Sequence, residues 1–325
     1  MPALPFNRKV SVAPMMDWTD RHCRYFHRLI SPDIFLYTEM VTSPAIIHGD
    51  REKLLGFSEK EKPLALQLGG SNADELARCA GVGAEWGYDE INLNCGCPSD
   101  RVQSGSFGAC LMAEPQTVAK CIAAMQREVN IPVTVKSRIG IDDFDNYDFL
   151  KKFVETVAAT GCNIFIIHAR KAILKGLSPR ENREVPPLIY DYVYRIKQEF
   201  PQLHITLNGG VKTVDEIQTH LKHVDGVMIG RAAYQNPWLL DEIQTEIFQK
   251  PTGQTPQQVV EAMLAYADAH LVRGGKLSNV TRHMLGMFPG QRGARLWRQA
   301  LTAGEVLEPG ANSTVISKAL RFINA

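Results

Sequence analysis

Eight short apolar runs, each closing in polar or small residues, leave this chain few folds to adopt. They span residues 10–15, 35–40, 64–70, 90–94, 133–139, 164–170, 204–210 and 226–231. Helix-period segments separate most of them, for example 74–86, 116–129, 148–160 and 214–223. Apolar runs of this length read as strands, and strands alternating with helices call for parallel pairing through crossover connections. The pattern predicts an α/β fold, a (β/α)8 TIM barrel. A doubly wound sheet is the competing architecture, but no G-x-G-x-x-G follows the first strand.

After the eighth run, residues 232–250 are expected to form the last helix of the barrel. Pro251-Thr252-Gly253-Gln254-Thr255-Pro256 then breaks the pattern with turn formers. Residues 257–273, 279–288, 293–304 and 312–323 read as four short helices. The expected organisation is a catalytic barrel over 1–250 and a small C-terminal all-α helical domain over 251–325. A chain of 325 residues is long enough for both.

Composition narrows the partners. Seven cysteines, odd in number and scattered, do not make a disulfide framework and point to a reducing cytoplasm. No run approaches the roughly 18 apolar residues of a membrane span, and residues 1–9 lack the apolar core of a signal peptide. The net charge of +1 hides an asymmetry: from residue 251 onward eight Lys/Arg face four Asp/Glu, while the rest carries 28 against 31. A basic tail on a mildly acidic body suggests a polyanionic partner. A merely solvated helix face is the competing explanation.

Candidate chemistry gathers where the strands end, the catalytic face of such a barrel. In the stretch 91–99, Ile91 and Leu93 read as the packing side of a strand that Gly96 and Pro98 terminate, so Cys97 falls just past its C-terminal end. Two buried cysteines packing a strand end would be the structural explanation. One C-x-C without a second Cys or His pair is a weak zinc signal, and no metal site is predicted. Further polar residues close the other runs: Gln67, Asn94, Lys136 and Arg138, His168 and Arg170, and Asn208. Each alone could be structural; together they would crowd one face of one barrel. Asn208-Gly209-Gly210 and Gly230-Arg231 follow strands seven and eight, a common phosphate site, because backbone N–H groups approach closely at glycine. The apolar edge Ala13-Pro14-Met15, with Met16 beyond it, and the Gln67 amide suit a flat heteroaromatic ring. With the phosphate site they describe flavin mononucleotide (FMN). Two connections are long, one over 101–108 and one after Arg170 that carries Lys171, Lys175, Arg180 and Arg183; long loops in compact domains are usually functional or disordered.

The stretch Asn92-Leu93-Asn94-Cys95-Gly96-Cys97-Pro98-Ser99, followed by Gly105 and Gly108, resembles the signature of the tRNA-dihydrouridine synthases. The similarity runs from Ala13-Pro14-Met15 to the C-terminal helices. Residues 168–184 most resemble the A subfamily, which modifies D-loop uridines 20 and 20a of tRNA. The resemblance implies an FMN-dependent reduction of uridine to 5,6-dihydrouridine with NADPH as reductant. It implies FMN contacts at Pro14, Met15, Gln67, Lys136, His168, Asn208, Gly209, Gly210, Gly230 and Arg231, with Met16 beside them. It gives Cys97 the role of proton donor, a thiol with a reference pKa of about 8.5 being mostly protonated at neutral pH, and makes Cys95 a structural neighbour. Asn94 is expected to touch tRNA. Lys175, Arg180 and Arg183 in the long loop and Arg292, Arg295 and Arg298 in the tail are the candidate RNA contacts. The expectation is a cytoplasmic monomer with no membrane or metal partner. Competing functions are a dihydroorotate-type flavin dehydrogenase acting on a free small molecule, which needs no basic helical domain, and a non-catalytic RNA-binding barrel, which needs neither Cys97 nor a phosphate site.

Overall fold

The computed structural model describes residues 6–99 and 107–324. They divide into two compact units, one drawn from Met1–Met16 and Phe35–Gly230, the other from Asp17–Ile34 and Arg231–Ala325.

The first unit holds eight strands: β1 (Val10–Val12), β2 (Leu36–Thr42), β3 (Leu64–Gly69), β4 (Glu90–Cys95), β5 (Val133–Arg138), β6 (Ile164–His168), β7 (His204–Asn208) and β8 (Gly226–Ile229). All pair in parallel, in the order β1-β8-β7-β6-β5-β4-β3-β2. The ends of this sheet meet: Ser11 bridges Phe35, and the Val12 amide donates to the Phe35 carbonyl at 2.9 Å. The sheet is thus a (β/α)8 barrel, with helices such as Ala73–Glu85, Pro115–Glu128, Tyr147–Ala158 and Val214–Leu221 between strands. Their starts are chemically marked. Asn72 caps the amides of Asp74 and Glu75, and Thr213 with Glu216 forms a capping box.

Strand alternation sorts the side chains. Ala13, Phe35, Tyr37, Ala65, Ile164, Ile166 and Met228 form one buried apolar cluster. Ile91, Leu93 and Cys95 on β4 are fully buried on the other face, where Ile91 abuts Gly83 of the helix Ala73–Glu85. Several predicted runs extend beyond their strands. Residues 13–15, 169–170, 209–210 and 230 leave the ladder and become loops at the C-terminal ends of β1, β6, β7 and β8.

The second unit is helical: Arg21–Ile30, Arg231–Gln235, Leu239–Glu246, Pro256–Val272, Leu277–Thr281, Ala294–Thr302 and Thr314–Asn324. Two expectations need correction. The single helix predicted over 232–250 is two helices, because Pro237 lacks an N–H and its ring obstructs the preceding turn. The helix predicted over 279–288 ends at Thr281. Beyond it the Met284 carbonyl accepts the Trp297 indole N–H at 3.0 Å, and Gly286 lies so close to the Gln235 carbonyl that a Cβ would stand 2.4 Å from it. The helix Ala294–Thr302 buries Ala294, Trp297 and Leu301 and leaves Arg295 and Arg298 exposed. Its start is Gly293 at φ +82°, where a Cβ would collide with the Phe322 carbonyl.

Candidate active site

The parallel register sets Gln67, Asn92 and Thr134 level on β3, β4 and β5. Their side chains join into one hydrogen-bonded chain. Gln67 Nε2 donates to Asn92 Oδ1 at 2.8 Å, Asn92 Nδ2 to Thr134 Oγ1 at 2.8 Å, and Thr134 Oγ1 to Glu90 Oε1 at 2.6 Å. Glu90 pairs with the Arg8 guanidinium, which also lies 4.5 Å from the centre of the Phe35 ring. Both charges are buried, an arrangement tolerable only because they are paired. At its other end the chain reaches the end of β4: Asn94 Nδ2 donates to Gln67 Oε1 at 2.8 Å, and Asn94 Oδ1 accepts the amides of Gly96 and Cys97 at 3.0 Å each.

That last pair of hydrogen bonds shapes the Cys97 turn. The Cys97 carbonyl accepts the Ala109 amide at 2.9 Å, and its thiol lies 3.6 Å from Ser99 Oγ. Cys97 is half-buried, whereas Cys95 is fully buried and its thiol is pushed well above its ordinary pKa by that burial. Of the two thiols, Cys97 is thus the more accessible. The loop residues 101–106, including Gly105, lie outside the described residues.

Cations surround this turn. Lys136 stands level with Asn94, and Arg138 level with His168, which is level with Asn208. Arg138 donates from Nε to the Gly96 carbonyl at 2.8 Å and from a terminal nitrogen to the carbonyls of Lys171 and Asn182 at 2.9 and 3.0 Å. It thus ties the β4 turn to the loop after β6. Neither Lys136 nor Arg138 has a carboxylate partner among the described residues. Burial lowers the Lys136 pKa to about 8, Arg138 adding to the effect and Cys97 opposing it. Burial, reinforced by Arg138, Lys136, Arg170 and Arg183, pushes His168 well below its usual value, so its imidazole is neutral. Gly209 and Gly210 follow β7 at φ +119° and +80°, and a Cβ on Gly209 would stand 2.7 Å from the His168 ring. Gly230 lies beyond β8 near Ala13 and Met15.

The barrel therefore brings Gln67, Asn94, Cys97, Lys136, His168, Asn208, Gly209, Gly210 and Gly230 to the C-terminal ends of its strands. Pro14 and Met15 are half-buried after β1, and Met16 is 55% exposed. Arg231 opens the helix Arg231–Gln235 of the second unit. In the loop after β6, Lys175, Arg180 and Arg183 are all exposed. Buried Asn182 organises this loop, holding the Ile173 amide and the carbonyls of Ile173 and Leu177. Arg292, Arg295 and Arg298 are exposed, with no ion pair among the described residues. Arg282, by contrast, pairs with Asp20. Sequence reasoning missed Glu90, Asn92 and Thr134. The signal was available: Glu90, Asn92 and Asn94 are polar at every second position of one strand, the parity of one face.

Residues 11–324 match the family described as Dihydrouridine synthase (Dus). A tRNA-dihydrouridine(20/20a) synthase of Shewanella oneidensis is 59% identical over 297 residues, covering 91% of this chain and 88% of its own length. Those of Vibrio cholerae and of a Synechocystis species are 57% and 56% identical, covering 97% and 92% of this chain and 96% and 90% of their own. Among solved structures, a 2-naphthoyl-CoA reductase complex superposes with a TM-score of 0.54 at 8% identity, over 75% of this chain and 50% of that one, a likeness of fold.

The cationic mouth generates a pH dependence. Lys136 is charged below about pH 8 in the free protein and loses its charge above it, so affinity for a phosphorylated ligand should fall as pH rises from 7 to 9. Titration with FMN at several pH values should show this decline in the wild type and a flatter profile in Lys136→Met. Equal slopes in the two proteins would remove Lys136 from the site.

Proposed function

This chain belongs to the dihydrouridine synthase family, and we propose that it reduces uridines 20 and 20a of tRNA to 5,6-dihydrouridine with FMN as cofactor, NADPH as reductant and Cys97 as proton donor. The observation that carries the reading is the half-buried Cys97 thiol, held at the end of β4 among Lys136 and Arg138.

The donor set suits a phosphorylated flavin. Gly209 and Gly210 adopt left-handed backbone that leaves no room for side chains. Lys136 and Arg138 bring positive charge without carboxylate partners among the described residues, and Asn208 anchors the strand end by donating to the Met228 carbonyl at 2.7 Å. Gln67 has used one donor and one acceptor within the barrel, which leaves it one of each for a ring edge. Gln67, Lys136, Gly209 and Gly210 would hold FMN here, and the reduced flavin, with NADPH as its source of electrons, would supply a hydride to C6 of the uracil ring.

Hydride addition at C6 leaves negative charge across C5 and the C4 carbonyl, and the Cys97 thiol gives its proton to C5. The resulting thiolate faces Lys136 and Arg138, which offset its charge until it recovers a proton from solvent. Neutral His168 adds no competing acid at the mouth. The target uridine must first leave its stack, at a cost of a few kcal/mol. Contacts to tRNA phosphates offset that cost, and the helical unit, with exposed Arg292, Arg295 and Arg298, is assigned to them, with Lys175, Arg180 and Arg183 of the β6 loop in support. Asn94, at the end of β4, is assigned a contact with the tRNA. The protein acts as a cytoplasmic monomer. No helix among the described residues is long and apolar enough to cross a membrane.

Two variants test this division of labour. Cys97→Ala should retain FMN and its reduction by NADPH but lose dihydrouridine formation by roughly 10²–10⁴-fold, the usual worth of a positioned acid; wild-type product formation would remove Cys97 from the reaction. Replacing Arg292, Arg295 and Arg298 together with Ala should leave FMN reduction intact, raise the tRNA Kd and flatten its salt dependence by up to about 0.9 in log–log slope per lost duplex phosphate contact. An unchanged Kd and slope would make the tail helix a structural cap.

A further inference from the structure

The hydrogen-bonded chain inside the barrel has a direction. At one end, Glu90, paired with Arg8, offers only acceptors; at the other, the backbone amides of Gly96 and Cys97 can only donate. Between them every group must accept on one side and donate on the other. With Glu90 accepting from Thr134, the hydroxyl oxygen must accept from Asn92 Nδ2, and Asn92 Oδ1 must then accept from Gln67 Nε2. Gln67 Oε1 must accept from Asn94 Nδ2, which turns Asn94 Oδ1 toward the Cys97 turn. Flipping any one amide would set donor against donor or acceptor against acceptor. In a buried site each such mismatch forfeits a hydrogen bond and its desolvation. Glu90, Asn92 and Thr134 are all 0% exposed, so water cannot repair a break.

We propose that Glu90, Thr134 and Asn92 are positioning residues: they fix the sense of the Gln67 and Asn94 amides and, through Asn94, hold the turn that presents the Cys97 thiol to substrate. None of the three reaches the substrate; they act on the reaction through Gln67 and Asn94. The inference rests on the reading of Cys97 as proton donor. It also assigns a purpose to a buried Arg8–Glu90 pair that a barrel floor could replace with apolar side chains at little cost.

Thr134 is the place to cut the chain, because valine copies its outline and deletes only the hydroxyl. Two quantities are to be measured on the full-length flavin-loaded protein. One is the rate of iodoacetamide labelling of Cys97 relative to half-buried Cys110, read by mass spectrometry. The other is kcat and KM for tRNA reduction. Thr134→Val should change the labelling ratio at least threefold and lower kcat at least threefold with KM unchanged, while Thr134→Ser, which keeps the hydroxyl, stays within threefold of wild type in both. If the valine protein does not fold, Thr134→Cys replaces it, a thiol being a poor acceptor where the threonine hydroxyl stood. A change below threefold in either quantity, a fall in kcat matched by KM, or equal loss in the serine variant overturns the proposal. Should Cys97→Ala prove fully active, the proton-donor reading fails separately, and the labelling ratio still decides whether the chain holds the turn.

Discussion

The parallel register of β3, β4 and β5 is the constraint on which the site depends. Gln67 meets Asn92, and Asn92 meets Thr134, only because these strands pair as they do. A one-residue slip of β4 would exchange Asn92 and Asn94 for Leu93 and Cys95, placing apolar groups where the amides stand and sending polar ones into the helix layer. The apolar face of β4, fully buried at Ile91, Leu93 and Cys95, opposes that slip. Packing on one side of the strand thereby sets the chemistry on the other.

Much of this was legible in the chain itself. Each of the eight runs produced a strand, since short apolar runs between turn formers have few other ways to bury their side chains. The site could be placed because barrel strands run parallel, so that residues such as Cys97, His168 and Gly209, far apart in sequence, share the C-terminal ends of their strands. What escaped were features that depend on tertiary partners. The break at Pro237 was signalled by its residue type, but the shortening of the helix after Thr281 was not. It follows from the Trp297 indole claiming the Met284 carbonyl and from the close approach at Gly286. The inward polar column was hidden for a similar reason, since a buried Glu is improbable until its Arg partner, 82 positions earlier, is seen beside it.

Charge is arranged differently in the two units. In the barrel, Lys136 and Arg138 are drawn out of water without carboxylate partners among the described residues, an unfavourable condition that an anionic ligand would relieve. In the helical unit, Arg295 and Arg298 stand in water outside the buried stripe of Ala294, Trp297 and Leu301 and cost the fold little. The first arrangement suits a ligand held in one pose, the second a polyanion met along its backbone. The division matches a reaction in which a flavin stays in place while tRNA comes and goes.

The decisive experiment is the conversion of an unmodified tRNA transcript by the purified protein supplied with FMN and NADPH, with each dihydrouridine mapped to its position. Dihydrouridine is expected at positions 20 and 20a, with no other uridine altered and one NADPH consumed for each dihydrouridine formed. Product at other uridines, or none from a protein that binds both FMN and the transcript, would contradict the proposed function.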